Sequence, residues 1–271
     1  MTVRSLLESA DIRAVEALFV DLWGTDASHP PVSADLMQAL ARFGGYVAGA
    51  YQRAGATHPA GATDPAGATE LVGASVGFVG VGRPAHLHSH ITGVAAAVQG
   101  RGAGYAIKRH QRAWALEQGL SMINWTFDPL VRRNGFFNLT RLGAIGTTYI
   151  VDCYGEMTDA VNAGQGSDRL VAEWSLNATP PAAEPDVQRL VADGRMLLDI
   201  DPAGAPNPAQ PGGAGPLLCR VPADIEALRV ADPELARRWR AAVRGSLGGA
   251  LRRGYRVAGA TRSGWYLLET P

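Results

Sequence analysis

Between a strand-like run and a helix-like run the chain reads Gln99-Gly100-Arg101-Gly102-Ala103-Gly104, and this density of glycine constrains the fold more than any other segment. Small residues let backbone N–H groups approach a ligand, and a helix start carries unpaired donors and about half a positive charge. A diphosphate is the natural occupant of such a turn. Two familiar glycine loops are disfavoured. A P-loop requires Gly-Lys followed by Ser or Thr, and here Tyr105 follows Gly104; a Rossmann fingerprint needs a third glycine three residues after Gly102, where Tyr105 again stands. A plain tight turn would require neither Gln99 nor so many glycines.

The flanking periodicities predict an α/β unit. A strand starts at His86, a helix runs from about Gly104 to Gln118 with Gly119 as its stop, and a strand follows over Ser121 to Phe127. A short helix from about Val131 to Leu142, ended by Gly143, and a strand through Thr147 to Val151 continue the pattern. Upstream, Ile12 to Trp23 has helical spacing, while Tyr46 to Gln52 and Leu71 to Gly80 read as the strands of a hairpin. Between them AGAT recurs from residues 54, 60 and 66, an expanded surface loop in which His58 is not expected to be a ligand. Downstream of the strand-like Arg169 to Leu176, the segments Asn177 to Pro185 and Asp201 to Pro216 are rich in proline, glycine and alanine. They read as linkers or loops rather than packed elements, placing a domain boundary near 177: a first domain over 1–176 and an extension or small second lobe over 177–271. The tail helix is marked by Asp232 as N-cap, Pro233 at its first position and Glu234 in its first turn. Its apolar stripe is Leu235, Trp239, Val243, Leu247 and Leu251, leaving Arg237, Arg238, Arg240 and Arg244 as a solvated face.

Composition removes whole classes of function. Lysine plus arginine and aspartate plus glutamate number 25 each in the 271 residues, so the charge footprint of a nucleic-acid binder is missing. With 46% hydrophobic and 18% charged residues the chain is too apolar for disorder, yet no apolar run nears the roughly 18 residues of a membrane helix. Met1 to Arg13 lacks the apolar core of a signal peptide, and Cys153 and Cys219 are too few for a disulfide framework. The expectation is a cytoplasmic protein, monomer or homodimer, with neither nucleic acid nor membrane as partner.

His86-Leu87-His88-Ser89-His90 places imidazoles on alternate residues, hence on one face of a strand. Histidine titrates near pH 6.5 and can accept a proton near neutrality. A metal site would need further ligands, and His110, Asp128, Asp152 and Glu156 offer no convincing set.

The segment resembles the Q/R-x-x-G-x-G/A signature of the GCN5-related N-acetyltransferase (GNAT) superfamily, with Gln99, Gly102 and Gly104 in the signature positions and Val94 in the usual place upstream. Asn134, with the helix closed by Leu142-Gly143-Ala144, is similar to the superfamily's second motif; that helix is about two residues short, and Ala144 stands where phenylalanine is common. The likeness spans about residues 12 to 176. It implies a mixed, mostly antiparallel sheet flanked by helices, splayed beside the glycine turn. It implies acetyl-CoA or another acyl-CoA as co-substrate, its diphosphate on Gly100, Arg101, Gly102, Ala103 and Gly104, and its pantetheine along Thr92, Gly93 and Val94. Asn134 would face the pantetheine.

The implied reaction is direct attack on the thioester by the amine of a small molecule, with acetyl or succinyl transferred in a ternary complex. An alkylammonium of pKa near 10 is only about 0.1% neutral at pH 7, so a base is expected. His88 and then His90 occupy positions that resemble catalytic ones in the superfamily. The second-motif helix lacks the usual tyrosine, leaving Tyr149 and Tyr154 as substitutes for the general acid, with Cys153 behind them. Phe43, Tyr46 and Trp23 are expected in the core or an acceptor pocket, and Glu173 and Trp174 at an acceptor ammonium. The alternative function is a non-catalytic acyl-CoA sensor on the same fold.

Overall fold

The computed structural model describes residues 1–53, 69–82, 84–155, 166–179, 181 and 183–270; the AGAT segment over 54–68, His58 and Glu156 lie outside the described residues. The chain divides into two units, Met1–Ile123 and Asn124–Pro271.

The first unit holds β1 (Thr2–Ser5), α1 (Ser9–Trp23), α2 (Ala34–Arg42), β2 (Tyr46–Arg53), β3 (Thr69–Gly80), β4 (His86–Val94) and α3 (Ala103–Glu117). Strand β1 pairs with β2, β2 with β3 and β3 with β4, all antiparallel, so the expected hairpin is present. Helix α1 forms because Ile12, Val15 and Phe19 recur at helical spacing and are buried together; Gly24, at φ 59°, ends it. Ser33 caps α2 by accepting from the Leu36 N–H, and Met37 is its buried anchor. These side chains join Val47, Ala74 and Val76 in one core on one face of the sheet. Each such aliphatic or aromatic residue contributes roughly 1.5–3 kcal/mol by burial. The alternate residue Ser75 faces the other way and accepts from Gln111 of α3, so α3 covers the second face.

Strand β5 (Met122–Phe127) runs across the division. The second unit continues with α4 (Arg132–Gly135), β6 (Ile145–Ile150), β7 (Arg169–Ser175), α5 (Gln188–Ala192), β8 (Met196–Ile200), β9 (Pro206–Pro208), β10 (Leu217–Arg220), α6 (Ile225–Ala231), α7 (Pro233–Val243), α8 (Gly249–Arg252), β11 (Arg256–Ala260) and β12 (Trp265–Glu269). The strand order is β5-β7-β6-β11-β12-β10-β8-β9. Only β8 and β10 pair parallel among the pairings resolved here; the others are antiparallel. The expected mixed, mostly antiparallel α/β architecture is therefore present, with the parallel pair in the second unit.

Two expectations need correction. The segment 201–216 is not a free linker: β9 pairs with β8, and Gly212, Ala214, Gly215 and Pro216 turn their carbonyls onto the Arg195 guanidinium. A proline-rich stretch reads as unstructured because its own periodicity is absent, whereas here a single arginine organises it. Within the second unit, tail strand β11 pairs with β6 through Val257 and Gly146. The arginines of α7 are not all solvated. Asp232, Pro233 and the stripe of Trp239 and Val243 behave as expected, but Arg240 is also buried, held by Asp128. A turn of π-helix, Arg244–Gly248, links α7 to α8.

Candidate functional site

Gly100 and Gly102 adopt φ of 74° and 87°, backbone that side chains rarely tolerate, and nothing lies within 4 Å of where a Cβ would stand at either. The turn therefore presents open backbone. No side chain caps α3, whose first intrahelical bond runs from the Ala106 N–H to the Gly102 carbonyl at 2.9 Å. The N–H groups of Ala103, Gly104 and Tyr105 precede that bond and point out of the helix start. Gln99 folds back, its Nε2 donating to the Val94 carbonyl at 3.3 Å and tying the turn to the end of β4. Arg101 is exposed. The donor set, the dipole and the empty Cβ positions together fit a diphosphate.

Strand β4 is interrupted where it matters. Val76 pairs with Ile91 but Gly77 with Ser89, so His90 is an extra residue, a bulge. The rings of His88 and His90 lie 6.2 Å apart, each beside Phe78. His86 is separate from this pair: its Nδ1 lies 3.2 Å from the Pro84 carbonyl. Partial desolvation, then the neighbouring His88, lowers the pKa of His90, so its imidazole is neutral at pH 7 and able to take a proton.

Beyond the bulge, Thr92 shares a 2.8 Å hydrogen bond with Ser75, and Val94 packs with Val72, Val98 and Ala103. Gly93 passes beneath α1, where a Cβ would stand 2.6 Å from Leu22 Cδ1 and 2.9 Å from the Trp23 ring. Only glycine lets the strand come so close.

Sequence reasoning missed the polar network under this strand. Lys108, the single lysine of the chain, is buried and donates to Ser89 Oγ at 2.9 Å and to Gln111 Oε1 at 3.0 Å. Gln111 Nε2 in turn donates to Ser89 and Ser75. Burial pushes the lysine pKa down to about 7. The readable signal was a lone lysine three residues before a glutamine, on the helix face turned toward the sheet.

In the second unit, Asn134 lies in α4, which runs directly into a π-helical segment, Phe136–Arg141, ended by Gly143 at φ 77°. Tyr149 donates its hydroxyl proton to Asp168 at 2.7 Å, and burial with that carboxylate pushes its pKa well up. Tyr154 is half exposed, its hydroxyl 3.0 Å from Thr126 Oγ1. Glu173 accepts from Thr147, and Trp174 is buried edge-on to Trp125. Cys219 is buried, its thiol pushed up to about 12.

Of the aromatics expected in the first unit's core or an acceptor pocket, Tyr46 is fully buried on His110, Trp23 packs edge-on to Phe19, and Phe43 is 87% exposed. Phe43 follows the last turn of α2, where its side chain falls outside the buried face. No helix among the described residues is long and apolar enough to cross a membrane.

No family model matches the chain, and no curated protein matches it. Among solved structures it is similar to yncA of Salmonella typhimurium, solved with acetyl-CoA, at 16% identity and TM-score 0.46, covering 67% of this chain and 98% of that one. It is similar to an N-acetyltransferase of Staphylococcus aureus Mu50 at 14% identity and TM-score 0.46, over 65% and 98% of the two chains. It is also similar to NAA60 of Arabidopsis thaliana, solved with a bisubstrate analogue, at 14% identity and TM-score 0.48, over 65% and 99%.

Proposed function

We propose that this protein is an acyl-CoA-dependent N-acyltransferase of GNAT type, moving an acetyl or succinyl group to the amine of a small molecule such as an amino acid, in the cytoplasm. The observation that carries the reading is the backbone cradle of Gly100 to Gly104, open at both left-handed glycines and set at the start of α3. Residues 1–176 are read as the acyl-CoA-binding part and 177–271 as an extension to it.

In this reading the amides of the cradle hold the diphosphate, Arg101 adds charge at its edge, and Thr92 to Val94 line the pantetheine. The co-substrate supplies an activated acyl group as a thioester. The residues of the chain manage protons and position. His88 or His90 removes a proton from the attacking ammonium, a role that suits the lowered pKa of His90. A backbone N–H near Thr92 to Val94 stabilises the developing oxyanion. Tyr149 is set aside as a general acid, because its proton is already given to Asp168.

Calorimetric titration with acetyl-CoA and succinyl-CoA tests this, comparing wild type with Gly104→Glu. Gly104 lies within the helix, so the substitution is tolerated by the backbone while its carboxylate repels a diphosphate. Saturable binding lost in the variant, with the circular dichroism spectrum unchanged, supports the reading; failure of both compounds to bind wild type overturns it. Binding without free-thiol release across a panel of amines would instead indicate an acyl-CoA sensor.

A further inference from the structure

The second unit contains a cleft of about 540 Å³ whose walls include Arg237, Arg240, Arg244 and Arg252, together with Val151 and Gly166. Its size suits a small metabolite. The four arginines come from one continuous helical run, α7 through the π turn to α8, at positions that repeat near every third or fourth residue before the turn. The carboxylates that hold them are not among the lining residues. Asp168 has a fully buried side chain and takes two hydrogen bonds from Arg244, from Nε at 2.9 Å and Nη2 at 2.7 Å. Asp128 takes both Nη groups of Arg240 at 2.7 Å. These ion pairs fix the guanidinium planes without covering the cleft.

Donors remain over. Arg237 uses Nε and Nη2 on Glu234, and Arg244 uses Nε and Nη2 on Asp168, so among the described residues Nη1 of each is uncommitted. Arg252 makes no hydrogen bond among the described residues. Asp152 Oδ1 lies 3.6 Å from Arg244 Nη2, and its backbone sits at φ 46°, in the left-handed region. A guanidinium presents planar paired donors that match carboxylate and phosphate oxygens, and Arg244, held by buried Asp168, loses little entropy on binding.

We propose that this cleft is a binding site for a small polyanion carrying phosphate or carboxylate groups, with Arg237, Arg244 and Arg252 as the ligating side chains and Arg240 as the fixed wall. The site is built wholly from residues of the second unit and stands whether or not the glycine turn binds acyl-CoA.

Calorimetric titration of the full chain with inorganic phosphate in one arm and citrate in the other tests it, at ionic strength matched with potassium chloride. Wild type and Gly104→Glu are expected to bind at least one probe saturably and alike, and Arg237→Gln/Arg252→Gln at least tenfold more weakly with its circular dichroism unchanged. The preferred arm identifies the anion as phosphate or carboxylate. If the double variant does not fold, Arg252→Gln alone carries the comparison. No saturable binding to wild type, or equal binding by the arginine variant, overturns the proposal; loss in Gly104→Glu alone would place the anion at the glycine turn and also overturns it.

Discussion

Asp128 and Arg240, separated by 112 positions in the chain, form a two-armed ion pair with both hydrogen bonds at 2.7 Å. Arg229 adds a third bond at 2.5 Å, and the Leu130 N–H a fourth at 2.9 Å. Burial pushes the Asp128 pKa upward, but the hydrogen bonds and charges of Arg240 and Arg229 outweigh it and hold the carboxyl below the ordinary range.

Removing one member of a buried pair leaves the other charge uncompensated. Asp128→Asn is therefore expected to cost about 3–5 kcal/mol in urea unfolding. The sign with pH follows from the lowered pKa: the contribution is present above the unfolded value near 3.9 and is lost as pH falls through the folded value. Wild type should lose stability steeply below about pH 4, and Asp128→Asn less so. Equal acid profiles in the two proteins would show that Asp128 is not the group being protonated.

Lys108 gives a dependence of the same sign in a more alkaline window. Its folded pKa of about 7 lies below the unfolded value near 10.4, so between these values the unfolded chain binds more protons than the folded one. Stability should rise from pH 7 toward pH 10. Lys108→Met removes the titration and should flatten that rise, read from chemical unfolding midpoints over the same pH range. A slope that survives the substitution would assign the effect to another group.

For the proposed acyl transfer, the lowered pKa of His90 places the acid limb of kcat/KM below pH 6.5, with a plateau already reached at neutrality if His90 is the base. His90→Gln and His88→Gln separate the two imidazoles: the base is the one whose loss costs about 100-fold or more and abolishes that limb. If both variants keep the wild-type profile, neither ring moves the proton.

Much of this was legible because it is local. The glycine turn, the hairpin, α1 and the start of α7 each depend on residues within about a turn of one another, which periodicity and capping rules read directly. The pairing of β4 was less legible: alternation places His86, His88 and His90 on one face, but the bulge at His90 depends on the register of β3. The buried arginines were illegible for a similar reason. Arg240 follows the pattern of a solvated helix face, and only the arrival of Asp128 from far earlier in the chain makes its burial possible. Lys108 likewise needs Ser89 and Gln111 together before its position makes sense.

The pairing of β11 with β6 bears on how such a chain can be divided or inherited. Cutting after residue 176 would strip β6 of a neighbour and strand Asp128 and Asp168 without their guanidiniums, leaving a raw strand edge that invites self-association. The tail is thus not a portable appendage. A relative that lost it would need new ways to neutralise two buried carboxylates and blunt that edge, so the residues at 128, 168, 240 and 244 should change together over evolution, or not at all.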